Sequence, residues 1–142
     1  MLKGVDPLLS GELLKVLDEM GHGDVLVIAD RNFPSYSRGL PVVRVDAGAV
    51  EIVKAVLSVF PLDTFVDRPF ARMGSDDDPT AENPVQAAAL DAAIAAHGGG
   101  LTVEAIPRSD FYPRADLGYA VIHTLETAPY CNFLLTKGVV TA

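Results

Sequence analysis

His22 is the side chain in this sequence best suited to moving protons. It lies in the segment Gly-His-Gly-Asp at positions 21–24, where the flanking glycines let the backbone turn tightly and leave the imidazole uncrowded. Because the unperturbed pKa of histidine is about 6.5, both protonation states are populated at neutral pH, and the ring can give and retake a proton. Two interpretations stay open on this segment alone: a general acid–base, or a polar loop histidine that interacts with the end of the preceding helix.

A carboxylate, Asp30, follows the short apolar run Val-Leu-Val-Ile-Ala at 25–29. Such a run is typical of a strand buried on both faces, and open α/β sheets bind ligands at the carboxyl ends of their strands. We therefore predict that Asp30 binds a ligand, with Asn32 and Phe33 in the wall of the same pocket. The alternative is that Asp30 only caps the loop that carries Asn32 and Phe33.

Two further clusters of polar and aromatic residues lie next to predicted strands. Arg108 and Tyr112 come after the predicted strand that ends at Ile106, and Tyr112 is a candidate for the pocket wall. Tyr130, Cys131 and Asn132 begin the last predicted strand.

The elements that position these residues begin with an amphipathic helix. Leu13, Leu17 and Met20 share one face of it, Ser10 is suited to cap its amino end, and Gly21 ends it. His22 therefore lies in the turn between this helix and the strand at 25–29.

The rest of the chain alternates in the same way. A strand is predicted at 41–45 and a helix at 50–60, while the prolines and aspartates of 67–84 indicate a surface loop. Asn83 and Gln86 predict a capping box that starts an Ala-rich helix, which ends at Gly98.

Three more strands are predicted, at 101–106, 119–124 and 130–136, and the last two are expected to pair antiparallel. The pattern favours one α/β domain over 1–142, a three-layer helix-sheet-helix sandwich with a mixed, largely parallel sheet. His97, at the end of the Ala-rich helix, and His123, in a strand, are expected to be structural.

The composition excludes several classes of function. With 11 Lys and Arg against 19 Asp and Glu, the formal net charge is −8, so the chain lacks a basic surface for nucleic acid or an anionic membrane. No apolar run approaches the roughly 20 residues of a membrane span. A single cysteine, Cys131, excludes an internal disulfide and a multi-cysteine metal site, and it fits the cytoplasm. We predict neither metal nor cofactor.

The mean hydropathy of +0.28 predicts apolar surface for a homo-oligomer.

Segments spread over nearly the whole chain resemble the fucose mutarotase and ribose pyranase family. They are Met-Leu-Lys-Gly at 1–4, Asp-Pro-Leu-Leu at 6–9, Met-Gly-His-Gly-Asp at 20–24, Ala-Asp-Arg-Asn-Phe-Pro at 29–34, Phe-Tyr with Arg-Ala within 111–115, Tyr-Cys-Asn at 130–132 and Lys-Gly-Val at 137–139. The resemblance implies a cofactor-free isomerase that acts on a free monosaccharide. It also implies a ring-shaped homo-oligomer, a decamer, with sites near the contacts between subunits.

The resemblance further implies a role for each cluster. His22 would be the proton donor at the anomeric centre, and Asp30 would either bind sugar hydroxyls or orient His22. Arg108 would bind the substrate as well. The substrate-binding Tyr-x-Asn segment of the family carries over to Tyr130, Cys131 and Asn132, with Cys131 offering its backbone rather than its thiol.

The substrate and the class of function leave alternatives. Arginine at position 108 is typical of the fucose side of the family and histidine of the ribose side, so L-fucose or a similar hexose is expected, with the pyranose–furanose exchange of ribose as the alternative. A non-catalytic monosaccharide-binding accessory of sugar uptake would use the same pocket. A nucleotide-binding α/β module is disfavoured because no Gly-x-Gly-x-x-Gly follows a strand.

Overall fold

The computed structural model describes all 142 residues. Its helices are α1 (Gly11–Glu19), α2 (Ala49–Leu57), α3 (Pro84–His97) and α4 (Arg108–Ala115). Its strands are β1 (Val25–Ala29), β2 (Val42–Arg44), β3 (Phe70–Gly74), β4 (Val103–Pro107), β5 (Ala120–His123) and β6 (Phe133–Thr136), and one turn of 3-10 helix covers Ser35–Ser37.

All six strands form one sheet in the order β2-β5-β1-β6-β3-β4. Only β6 runs antiparallel, to β1 on one side and to β3 on the other, so the other five strands point the same way. Their carboxyl ends therefore share one edge of the sheet, called here the carboxyl edge, and their amino ends share the opposite, amino edge. The predicted mixed, largely parallel sheet is confirmed.

The expected pairing of the last two strands is wrong, because β1 lies between β5 and β6. Val27 of β1 is opposite Val121 of β5 on one side and opposite Leu134 of β6 on the other. The apolar run of β1 suits this central position, since both of its neighbours and both faces of the sheet exclude water from it.

Helices cover both faces of the sheet, which confirms the three layers. Three helices, α1, α2 and α3, pack on one face, where Leu13, Ile52 and Phe70 belong to the larger apolar core. On the other face α4 packs through Phe111 against a smaller core that includes Val27.

Helix caps formed as the sequence predicts. The hydroxyl of Ser10 accepts a hydrogen bond from the Leu13 N–H at 3.2 Å and starts α1. Asn83 and Gln86 exchange side-chain to backbone bonds of 2.9 and 3.1 Å at the start of α3. Gly98 ends α3 with a φ of +91°, a left-handed conformation that glycine adopts without strain.

Two elements were missed by the sequence patterns. The predicted loop at 67–84 is wrong for Phe70–Gly74, which is the fully buried strand β3 between β6 and β4. Arg72 interrupts its apolar run, and the prolines around it are typical of loops. Helix α4 was not predicted because Pro113 and three charged residues occupy four of its eight positions. None of the four helices has the length and apolar character needed to cross a membrane.

Candidate active site

A cleft opens at the carboxyl edge of the sheet, where β1, β3 and β4 end and β6 begins. Its volume is about 160 Å³. The lining residues come from the ends of these strands and from α4, and they are Asp30, Asn32, Phe33, Met73, Arg108, Tyr112, Pro129, Tyr130 and Asn132. This edge is where open α/β sheets bind small molecules.

The floor of the cleft is a hydrogen-bonded pair, Asp30 and Asn132, which are 6% and 3% exposed. The amide of Asn132 accepts from the Asp30 N–H at 2.8 Å through Oδ1 and donates to Asp30 Oδ2 at 3.0 Å through Nδ2. Asp30 Oδ1 accepts from the backbone N–H groups of Asn32 and Phe33, both at 2.9 Å. Asp30 therefore caps this loop as well as facing the cleft.

Burial raises the pKa of the Asp30 carboxyl, and its hydrogen bonds only partly offset this effect. The carboxylate is nevertheless held in one orientation by donors from Asn32, Phe33 and Asn132. A ligand hydroxyl can therefore donate to a preformed acceptor.

Aromatic rings build one wall of the cleft. Phe33 stacks on Tyr112 with ring centroids 5.7 Å apart, and it meets Phe111 edge-on at 6.1 Å. The guanidinium of Arg38 lies 5.3 Å from the centroid of the Tyr112 ring. Because Tyr112 and Phe111 belong to α4, the helix that the sequence did not predict positions this wall.

The opposite wall is the turn before β6, in which Tyr130 has a φ of +60°. Gln86, buried at the start of α3, donates through Nε2 to the carbonyls of Met73 at 2.8 Å and of Tyr130 at 2.9 Å. These bonds join α3, β3 and this turn, and they hold Tyr130 in a conformation that is uncommon for a residue other than glycine.

Cys131 is fully buried and does not line the cleft. Its thiol lies 3.7 Å from the side chain of Asn83, and burial raises its pKa to about 12. The thiol is therefore protonated and faces the larger core. Neither the thiol nor the backbone of Cys131 is exposed to the cleft, so the substrate contact expected for this residue is not seen within one chain.

Arg108 lies at the mouth of the cleft with 44% of its side chain exposed. Its Nε atom donates to both carboxylate oxygens of Asp76, at 3.0 and 2.9 Å, and this contact raises the pKa of the guanidinium. Asp76 belongs to the loop after β3, and no pattern in the sequence predicts a role for it.

His22 lies at the opposite, amino edge. The five residues of β1 separate it from Asp30, roughly 16 Å along the strand. The two side chains therefore do not meet within one chain, and Asp30 does not orient His22. The carboxylate that does so is Asp63, whose Oδ1 is 3.0 Å from His22 Nε2.

This His22–Asp63 pair combines an accessible imidazole with a buried carboxylate. The side chain of His22 is 44% exposed, and that of Asp63 only 3%. Burial opposes the ionisation of Asp63, but hydrogen bonds from the Phe65 N–H and from His22 outweigh it and lower its pKa. The ring of Phe65 lies 5.3 Å from the imidazole and is itself 73% exposed.

The end of β6 holds this pair together. The carbonyl of Lys137 accepts from the Gly23 N–H at 2.8 Å, and the Asp63 N–H donates to the Thr136 carbonyl at 3.0 Å. The backbone at Leu62 packs so closely against Gly138 that a Cβ on this glycine would lie 2.6 Å from the Leu62 carbonyl oxygen. The Lys-Gly pair of the recognised segment 137–139 thus brings two distant parts of the chain together.

The Lys137 side chain fixes the turn from the other direction. Its Nζ donates to the carbonyls of Leu17 at 2.6 Å and of Met20 at the carboxyl end of α1. A cation is favoured at this end of a helix, so Lys137 anchors the helix that leads into the His22 turn.

The structure thus divides the predicted site residues into two groups. Asp30, Asn32, Phe33, Arg108, Tyr112, Tyr130 and Asn132 line the cleft, whereas His22 lies at the other edge of the sheet. Sequence reasoning missed Asp63 and Asp76, which contact predicted residues from 41 and 32 positions away. No group of three or more His, Cys, Asp or Glu side chains is placed to hold a metal ion.

The other two histidines do not line the cleft, although His97 lines a second cavity together with Asp63. His97 ends α3, and the Nδ1 atom of His123 lies 2.8 Å from the buried Ser35 hydroxyl. Burial lowers the pKa of His123. The structural roles expected for these two residues stay predictions.

Comparison with known proteins covers almost the whole chain. The model of the RbsD / FucU transport protein family matches residues 3–140. The chain is 41% identical over 140 residues to the L-fucose mutarotase of Actinobacillus pleuropneumoniae serotype 5b, covering 98% of this chain and 97% of that one.

Solved structures agree with the sequence comparison. FucU from Bifidobacterium longum superposes with a TM-score of 0.91 at 44% identity, covering 98% of this chain and all of that one. The fucose mutarotase of Streptococcus pneumoniae, solved in complex with L-fucose, superposes with a TM-score of 0.86 at 36% identity, covering 99% of this chain and all of that one. This chain therefore belongs to the RbsD/FucU family.

Proposed function

We propose that this protein is a sugar mutarotase, an isomerase that interconverts the anomers of a free monosaccharide, with L-fucose or a similar hexose as substrate. The observation that carries the proposal is the full-length similarity to the L-fucose-bound mutarotase of Streptococcus pneumoniae. The cleft supports it, because Asp30, Asn132 and Arg108 offer the acceptors and donors that sugar hydroxyls require.

The reaction needs only proton transfer. A base removes the proton of the anomeric hydroxyl while an acid protonates the ring oxygen, the ring opens to the aldehyde, and closure on the other face of the carbonyl gives the other anomer. We assign the proton donor to His22. While Nε2 donates to Asp63, Nδ1 of the doubly protonated ring can give its proton to the ring oxygen of the sugar, and Nδ1 of the resulting neutral ring can take a proton back.

We further propose that two copies of the chain complete each site. His22 and the cleft lie at opposite edges of the sheet, so the His22 edge of one copy must face the cleft of the next. Such a head-to-tail contact closes into a ring when its rotation is suitable, as in the decamer that the family resemblance implies. The exposed apolar side chains of Phe65 and Val66 near His22 would be covered by this contact.

We place the protein in the cytoplasm, where the lone cysteine would stay reduced.

The activity is tested by saturation-transfer NMR on L-fucose, D-ribose, D-galactose and L-rhamnose. We expect faster exchange between the anomers of L-fucose than between those of the other hexoses. Binding of L-fucose without faster exchange would indicate a sugar-binding accessory. Faster pyranose–furanose exchange of ribose than anomer exchange of fucose would indicate a ribose pyranase.

The two-copy site is tested by mixing two impaired variants. We expect His22→Asn to lose nearly all exchange, and Asp30→Asn, whose sugar binding is about tenfold weaker, to keep about a tenth of it at L-fucose concentrations well below saturation. After mixed assembly, about a quarter of the sites in a head-to-tail ring pair an intact His22 with an intact Asp30 from the next copy. Exchange should recover to that fraction. If the mixture is no more active than the average of the two variants measured separately, although size-exclusion chromatography and mass spectrometry show mixed rings, His22 and Asp30 do not act across a subunit contact.

A further inference from the structure

Asp76 links two of the cleft residues from outside the cleft. It belongs to the exposed loop after β3, and its carboxylate accepts from Arg108 Nε through both oxygens. The Tyr130 hydroxyl lies 3.5 Å from Asp76 Oδ2. Arg108 begins α4 and Tyr130 precedes β6, so one loop carboxylate contacts both sides of the cleft mouth.

The contact changes the charge that the cleft presents. Of the nine lining residues only Asp30 and Arg108 are charged, and Asp30 is nearly buried at the floor. An arginine without a carboxylate partner would present a free guanidinium at the mouth, and such a group binds carboxylates and phosphates in preference to neutral hydroxyls. The ion pair with Asp76 offsets the charge of Arg108 before a ligand binds.

The contact still leaves Arg108 able to bind a neutral sugar. Only Nε donates to Asp76, so the ion pair leaves the terminal Nη groups for other partners, among them the Tyr112 hydroxyl and ligand hydroxyls. Asp76 thus offsets the positive charge without using the rest of the guanidinium.

We propose that Asp76 is a specificity-determining residue, which makes the cleft select uncharged monosaccharides over sugar acids and sugar phosphates. The inference rests on the function proposed above and adds the class of ligand that the site rejects. Because the pair is about half exposed, the effect is limited to what an exposed ion pair contributes, a preference of up to about fivefold.

The test compares Asp76→Asn with Asp77→Asn and the unchanged protein. Asp77→Asn is the control. It removes the same charge one position along the same exposed loop, and the Asp77 side chain makes no hydrogen bond or ion pair. D-galacturonate and D-galactose, which differ only in the carboxylate, compete with L-fucose while anomer exchange is measured by NMR.

We expect Asp76→Asn to raise the potency of galacturonate relative to galactose about fivefold at low salt, and less at high salt, with no change in Asp77→Asn. Equal ratios in all three proteins, including no competition by galacturonate in any of them, would overturn the role of Asp76. The L-fucose exchange of the unchanged protein would still stand in that case, whereas its absence would overturn the proposed function itself.

Discussion

Each edge of the sheet holds a buried aspartate, and the pKa values of the two carboxyls are shifted in opposite directions. Asp30 at the carboxyl edge has a raised pKa, because burial outweighs the hydrogen bonds from its own loop and from Asn132. Asp63 at the amino edge is just as inaccessible, but hydrogen bonds from Phe65 and His22 lower its pKa. The carboxylate of Asp30 faces the cleft, whereas that of Asp63 contacts the exposed imidazole of His22. In the function proposed above, sugar binding lies at the carboxyl edge and proton transfer at the amino edge.

The sharpest way to break this division is to remove the imidazole. We expect His22→Asn to slow anomer exchange about 10²- to 10⁴-fold, the usual contribution of a general acid–base, while sugar affinity changes little. Saturation-transfer NMR gives the rate and calorimetry gives the affinity. His97→Asn is the matched control and should behave like the unchanged protein. A comparable loss of affinity in His22→Asn would show that the amino edge also binds the ground state.

The second test exchanges the polar pair of the cleft floor. Asp30→Asn places two amide donors face to face, because Asn132 Oδ1 is already used by the Asp30 N–H. We expect about 1–3 kcal/mol less stability and sugar binding about tenfold weaker.

Adding Asn132→Asp restores the complementary donor and acceptor, so the double variant should recover most of the stability. Urea unfolding measures this directly. If the double variant is no more stable than Asp30→Asn alone, the hydrogen bonds between the two side chains are not what stabilises the floor.

The third test concerns the carboxylate that holds His22. We expect Asp63→Asn to slow exchange about tenfold with unchanged sugar affinity, since the imidazole loses a charge-assisted hydrogen bond. The lowered pKa of Asp63 also predicts the pH dependence of stability. Its ionised form is favoured in the folded state, so its contribution is present above the unfolded pKa of about 3.9 and is lost as pH falls through the lower folded value.

Thermal unfolding of Asp63→Asn and the unchanged protein between about pH 7 and pH 2.5 checks this dependence. The difference in stability should be largest at neutral pH and shrink below about pH 4. A difference that grows on acidification would mean that Asp63 resembles Asp30 and that the contrast between the two edges is wrong.

Local signals were enough to predict most of the fold. The cap residues Ser10 and Asn83 and the apolar run of β1 each specify their element without help from the rest of the chain. The strand β3 was missed because Arg72 is buried only through contacts with residues later in the chain, including a hydrogen bond from Nη2 to the Thr80 carbonyl at 2.9 Å. No periodicity shows such a contact.

The site was predictable as a set of residues but not as an arrangement. Residue types and the resemblance together supplied His22 and the cleft residues, and the strand predicted at 25–29 already separated His22 from Asp30, but neither showed which carboxylate contacts His22. Asp63 and Asp76 gave no signal, because each acquires its role only when the sheet brings it beside a residue far away in sequence.

The two ends of β6 limit how the length of this strand can change. Asn132 lies immediately before this strand, at the cleft, and Lys137 lies immediately after it, beside His22. Inserting or deleting one residue within 133–136 would shift one of these ends by about 3.3 Å and turn every following side chain to the other face of the sheet. The length of β6 is therefore fixed by both edges at once, and homologous chains should vary in their loops while this four-residue spacer stays constant.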